Sequence, residues 1–280
     1  MMSSMSDGTP RRGSGKNLGG RLEDAAQTAG NHPALEKAAR AGYAVNGLLH
    51  LVIAWICLQL AMLRPTGDAD QSGALATLAS TGAGLLALWL GVVGFAGLCL
   101  WQLTEVLVPG LAGDSWQSRA KDAAKAVIYL VLAVSCFGFA TGEHSSGKNR
   151  IRDLTTALMR GFGGRLLVAI IGLAIIGVGI YHVVKGLRKK FLADNERDPG
   201  PLAVYAGMLG YPTRGVALGV VGLLFVLAAI DNSTAQASGL DAAFRFVLEQ
   251  PYGRVLVGFM ALGFAAFGIY LFFRARHADV

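Results

Sequence analysis

Ten polar side chains set within or beside long apolar runs have chemistry to offer in this sequence: Asn46, His50, Gln59, Gln102, Glu105, Lys125, His182, Lys185, Arg214 and Arg274. The four cations suit a phosphate or another anion. The two histidines, if they faced each other from different helices, could ligate haem axially or hold a metal. Asn46, Gln59 and Gln102 can join helices or line a polar path. No motif turns this set into a catalytic constellation. CxxCH, HExxH, Gly-x-Ser-x-Gly, a Walker loop and a carboxylate cluster are all missing, and Gly177 and Gly179 lie in mid-run rather than after a strand, so they carry no nucleotide meaning. The expectation is a non-enzymatic protein with no cofactor and no metal ligand, its histidines hydrogen-bonded and structural.

What must position these residues is a set of membrane-spanning helices. Of 280 residues, 53% are hydrophobic, 15% are charged and 38 are glycine, too apolar and glycine-rich for a soluble domain. A helix rises about 1.5 Å per residue, so a run of about 18 or more apolar residues crosses a hydrocarbon layer about 30 Å thick. Six runs qualify: Tyr43–Leu63, Leu85–Val108, Ala124–Ala140, Leu166–Val184, Thr213–Ile230 and Val255–Phe273. They lack the alternation of barrel strands. The fold class is therefore all-α, a polytopic membrane helix bundle.

The runs repeat. GRLLVAIIGL from Gly164 aligns with GRVLVGFMAL from Gly253, and VGIYHVVKGL and FGIYLFFRAR end the same two segments. A diverged third copy from Gly84 places Trp101 at the tyrosine position and Glu105 at the basic one. The first helices align as well, with Asn46, Lys125 and Arg214 at one position. The six helices thus form three two-helix units, at 34–112, 113–192 and 205–276. Each unit carries a short amphipathic segment between its helices: ALATLAST near Leu75, IRDLTTALMRGF from Ile151 and LDAAFRFVLEQPYG from Leu240. These segments are expected at the interface or capping the bundle.

The repeat leaves two readings of the cations open. Lys125, Lys185, Arg214 and Arg274 can snorkel to the membrane surface from helix ends. Alternatively they form a basic ring at the mouth of the bundle, with Glu105 pairing one of them, that binds lipid phosphate or an anion. Trp55, Trp89, Trp101, Tyr129, Tyr181 and Tyr270 read as interface anchors. The glycines of the spans read as sites of close helix packing. Cys57, Cys99 and Cys136 read as small apolar packers, since three cannot pair completely and none has CxxC spacing.

Of the 25 Lys and Arg, 17 fall on one side if the N-terminus is cytoplasmic, which places both termini inside a bacterial plasma membrane. Against this, five of the remaining eight cluster between Lys148 and Arg165. The net charge of +7 suits anionic lipid head groups and does not require nucleic acid. Residues 1–33, polar and without an apolar core, read as a disordered basic cytoplasmic tail and not as a signal peptide.

Three tandem helix pairs, opening near Ala41-Gly42-Tyr43 and Leu209-Gly210-Tyr211 and closing near Gly-Ile-Tyr or its Trp variant, resemble the DUF1206 family of bacterial membrane proteins across Ala34 to Arg276. The middle unit departs, with Asp122-Ala123-Ala124 at the opening. The resemblance implies a six-helix integral protein of the cytoplasmic membrane and carries no activity or catalytic residue. Two functions remain: a scaffold or accessory protein binding lipid or a partner membrane protein, and a small transporter or channel with a path lined by Asn46, Gln59, Gln102 and Glu105. Each unit holds two spans, so all three share one orientation, which removes the inverted repeats typical of alternating access.

Overall fold

The computed structural model describes residues 33–64, 66–107, 116–143, 147–159, 161–194, 200–234, 237 and 239–277. The tail read at 1–33 lies outside them except for Pro33, where the first helix already begins. Backbone polar groups in hydrocarbon must be satisfied within their own segment, which selects helices. The described residues form α1 (Pro33–Ala61), α2 (Gln71–Ala79), α3 (Gly82–Leu107), α4 (Trp116–Ala140), α5 (Gly147–Leu158), α6 (Phe162–Leu187), α7 (Pro201–Asp231), α8 (Leu240–Leu248) and α9 (Gly253–His277). Six of these, α1, α3, α4, α6, α7 and α9, are long and apolar enough to cross a membrane. The amphipathic segments of the sequence are the short helices α2, α5 and α8.

Three spans begin well before the apolar runs that announced them. The largest difference is α7, which starts at Pro201 rather than Thr213 and carries Pro212 inside it. A proline there removes one backbone donor. The Thr213 hydroxyl donates to the Leu209 carbonyl at 2.9 Å, so an acceptor beside the break is served. The consequence is positional: Arg214, expected near a helix start, lies near the middle of a 31-residue helix.

The three units close into a ring. α3 packs on α4, α6 on α7, and α9 on α1, so every unit touches the other two. Within units, α1 packs on α3 and α7 on α9, whereas α4 and α6 of the middle unit do not pack side by side. The bundle is therefore a ring of six helices open along one seam. A small residue explains the difference. Gly42 lets α1 meet α3 at Gly94, and Gly210 lets α7 meet the backbone of Phe267 in α9. The corresponding residue of the middle unit is Lys121, long, charged and exposed.

The repeated motif of the sequence is the interface between units. Gly84, Gly164 and Gly253 each sit where a Cβ would collide with a carbonyl of the preceding short helix: Leu78, Leu158 and Leu248. One residue on, the Arg165 Nε donates to the Ala229 carbonyl at 3.1 Å, and the Arg254 Nε donates to the equivalent Ala61 carbonyl at 3.1 Å. Each arginine thereby serves orphan carbonyls at the C-terminus of the next unit's first helix. Deeper in, a Cβ on Gly179 would stand 2.6 Å from the Gly215 carbonyl oxygen, and one on Gly268 would stand 2.8 Å from that of Gly47. Such contact is what associates helices where lipid is as apolar as their side chains. At the α3–α4 interface the matching residues are Leu85 for the arginine, and Cys99 and Ala126 for the glycines.

Gly179→Leu should lower the stability of the detergent-solubilised protein by about 1–3 kcal/mol through overpacking. Gly177→Ala, two residues away with nothing near its Cβ position, should leave the thermal unfolding midpoint unchanged.

Candidate anion-binding site at the basic end of the bundle

The interface motif finishes at one end of the ring with a cation over an aromatic face. The Lys185 ammonium of α6 lies 5.2 Å from the Tyr211 ring centre of α7, and the Arg274 guanidinium of α9 lies 4.7 Å from that of Tyr43 in α1. Tyr43 and Tyr211 occupy equivalent positions in their units. A ring face replaces part of a cation's lost hydration, worth about 0.5–2 kcal/mol as the site dries. At the third interface the equivalent residues are Glu105 and Asp122, and no such stack can form. Asp122 instead accepts from the Lys125 ammonium at 2.7 Å, within the same helix. The four basic residues of the sequence thus separate: Lys125 is paired and half-exposed, Lys185 and Arg274 are laid across unit boundaries, and Arg214 stands apart.

Arg214 points into the ring. Its guanidinium lies 5.0 Å from the Phe267 ring centre of α9, and its field reaches His50 of α1, His182 of α6 and Tyr129 of α4. Among the described residues it makes no hydrogen bond and no ion pair; its neighbours are aromatic rings and imidazoles. Residue 214 is seventeen positions from the far end of α7 at Asp231, about 26 Å along the axis. In a hydrocarbon layer about 30 Å thick that sets Arg214 toward the basic end, where a charge held inside the ring marks a candidate functional position.

The histidines are fixed alike. His50 Nδ1 donates to the Asn46 carbonyl at 2.8 Å, and His182 Nδ1 donates to the Val178 carbonyl at 2.8 Å. That leaves each Nε2 as the acceptor of a neutral ring. His50 packs between Phe264 and Phe267 with ring centres 6.0 and 4.9 Å away, and His182 stacks on Tyr211 at 6.0 Å. Tyr129 of α4 faces Tyr43 of α1. Among the described residues no three His, Cys, Asp or Glu side chains come together as a metal site would require.

The remaining candidates scatter. Gln102 is buried in α3, and among the described residues its Oε1 has no hydrogen-bond partner. Asn46 contributes its carbonyl to His50, Glu105 is half-buried at the basic end of α3, and Gln59 is half-buried near the opposite end of α1. Two supposed interface anchors belong to the interior. Tyr270 is fully buried and donates to the Phe191 carbonyl at 3.2 Å, and Tyr129 faces Tyr43. Tyr181, at the position equivalent to Tyr270, is 58% exposed on the outer surface.

Sequence reasoning overlooked a polar network at the far end. Asp241 of α8 is fully buried, accepts from the Ala69 backbone N–H at 2.9 Å and is held by Arg245 Nε at 2.9 Å. Asp70 caps α2 by accepting from the Gly73 N–H at 3.0 Å and the Ser72 hydroxyl at 2.6 Å. Burial pushes the Asp70 carboxyl above the usual carboxylate range, while its two cap hydrogen bonds pull the other way. The signal available was Asp70-Gln-Ser ahead of a small helix, a capping pattern.

A ring of three helix pairs with internal cations defines a multi-pass membrane protein built from tandem units. A family model described as Domain of Unknown Function (DUF1206) matches three times, at residues 41–108, 120–189 and 209–278, and the chain belongs to that family. It is also similar to the uncharacterized protein YxxB of Bacillus subtilis (strain 168), 23% identical over 248 residues that cover 85% of this chain and 89% of that one. No solved structure matches it.

Asp241→Ala should cost about 1–3 kcal/mol, because it strands the buried Ala69 N–H; chemical denaturation in detergent measures it. Asp70→Asn keeps a capping side chain and removes a carboxyl whose folded-state pKa is raised. A raised folded pKa stabilises below the unfolded value and loses that stability as pH rises through the folded one. The variant should therefore melt above the parent at neutral pH, with the gain fading as pH falls.

Proposed function

We propose that this protein is a non-enzymatic membrane protein of the bacterial cytoplasmic membrane that binds anionic lipid at its basic end and serves there as a scaffold or accessory to a partner membrane protein. The observation that carries the reading is the repeated placement of Lys185 on Tyr211 and Arg274 on Tyr43, across unit boundaries. Stacking holds each cation at a set position at the membrane surface instead of leaving it to sweep through solvent, and ordered cations suit a phosphate head group. The excess of Lys and Arg at the same end supports a cytoplasmic orientation for both termini. The Bacillus relative supports a bacterial setting. The lightly covered helix α6, with most of its outer face exposed, offers the surface on which a partner helix would add.

Transport is the second reading, favoured by one observation: the field of Arg214 reaches both His50 and His182 from within the ring. Native mass spectrometry of gently extracted protein separates the two. The wild type should retain phosphatidylglycerol or cardiolipin, and Lys185→Gln with Arg274→Gln should retain about tenfold less, as expected from losing two charge-assisted contacts of at least 1.4 kcal/mol in sum. A bare monomer from the wild type would sink the lipid reading. Phosphate flux into protein-containing liposomes above the lipid leak, abolished by Arg214→Gln, would establish transport in its place.

A further inference from the structure

We propose that the open seam between α4 and α6 is a lateral entrance through which an anionic lipid lays its phosphate against Arg214, with its acyl chain remaining in the seam. The inference rests on the lipid-binding reading above and adds to it an internal site with a defined access route, distinct from the surface positions of Lys185 and Arg274.

Three independent features meet here. The first is the uncompensated charge. Arg214 has no carboxylate partner among the described residues, and the groups its field reaches are His50, His182, Tyr129 and Tyr211. An ion inside the membrane is normally paired or turned toward water or a ligand. Those groups come from α1, α4, α6 and α7, and Phe267 of α9 lies 5.0 Å from the guanidinium. A tetrahedral phosphate can take a guanidinium fork and a phenol on separate oxygens.

The second feature is the gap in the ring. α4 and α6 are the one consecutive pair of spans in the ring that do not pack side by side, and Lys121 stands where glycine brings the first helix of each other unit onto its mate. The two helices that flank it are the least covered of the six spans. An amphiphile can therefore slide its head inward without its chain leaving hydrocarbon.

The third feature is the lining. Val178, His182 and Lys185 fall on one stripe of α6 at spacings of four and seven residues. Val178 is 48% exposed, although it shares that stripe with two side chains stacked on Tyr211. An apolar residue exposed above an inward-facing histidine and lysine fits a chain-and-head ligand better than a free anion. Ile180, 60% exposed, lies on the opposite side of α6 and looks outward.

The test uses the full chain in nanodiscs of zwitterionic lipid doped with phosphatidylglycerol, read by native mass spectrometry after detergent release, with inorganic phosphate as competitor. Size-exclusion profiles and thermal melts establish folding. Wild type should hold phosphatidylglycerol. Arg214→Gln should hold about tenfold less, the effect of one charge-assisted hydrogen bond of about 1.5 kcal/mol, and Arg214→Lys an intermediate amount. Val178→Trp, which fills the seam at an exposed position and does not disturb the core, should reduce retention, whereas Ile180→Trp should not. Millimolar phosphate should fail to displace the lipid. Equal effects of the two tryptophans would overturn the seam as entrance. Retention unchanged in Arg214→Gln, but lost when Lys185 and Arg274 become Gln, would overturn the internal site and leave surface lipid binding standing. Displacement by phosphate in both wild type and Val178→Trp would assign the site to a free anion and overturn the lipid claim. No lipid held by wild type would overturn the lipid-binding reading itself.

Discussion

Two helix backbones can touch only where neither carries a side chain at the crossing, and in hydrocarbon that touch is the chief source of attraction between them. The pairs Gly179 with Gly215 and Gly268 with Gly47 meet this condition, and the rest of the architecture follows from their geometry. With α6 held on α7 and α9 on α1 at backbone contact, Arg165 and Arg254 come within reach of the carbonyls at the far ends of the neighbouring helices. At the other ends, Lys185 and Arg274 come to rest on the rings of Tyr211 and Tyr43. A larger residue at either crossing would push all these partners apart together. That shared dependence gives the motif its length: it is one interface, written along a whole helix.

The interface between units 1 and 2 uses other residues. With Leu85, Cys99 and Glu105 in place of arginine, glycine and cation, and with Ala126 and Asp122 opposite, α3 and α4 pack by side-chain fit. Phe95 and Tyr129 stack there with ring centres 6.4 Å apart. The middle unit also loses its internal contact, because Lys121 cannot sit in a helix crossing. A closed threefold ring would bury its axis from lipid on all sides. The diverged unit leaves one side of it uncovered, next to the only one of the four repeat-aligned cations that lies inside the ring, Arg214.

Much of this fold was readable from the chain. The number of spans, their helical nature and their grouping in pairs follow from run length and from self-similarity, which are properties of order along the chain. The three short helices announce themselves between the spans, and the glycine-rich spans announce close packing, which holds at Gly94, Gly179, Gly215 and Gly268 but not at Gly142, Gly177, Gly219 or Gly258, where nothing stands near a Cβ position. Helix starts were less legible. α7 begins twelve residues ahead of its apolar run because Pro212 and the glycines before it resemble a loop, and only packing against α6 and α9 keeps that stretch helical. Asp241 and Asp70 went unnoticed because a buried carboxylate looks like any other acid until its partner, 172 residues away in the case of Ala69 and Asp241, is known.

The sequence by itself determined that this chain enters a membrane, how many times it crosses and which positions correspond between units, since each depends on hydrophobic run length and on residue identity at fixed spacing. Only the tertiary structure decided that the units form a ring instead of a row, that the ring is open beside α6, and that the four aligned basic residues have different fates. Lys125 lies against an acid on its own helix, Lys185 and Arg274 lie on aromatic faces, and Arg214 lies inside. The reason is physical. A cation's role depends on what faces it across a helix boundary, and the facing residue comes from another unit, at a separation in sequence that no local pattern encodes.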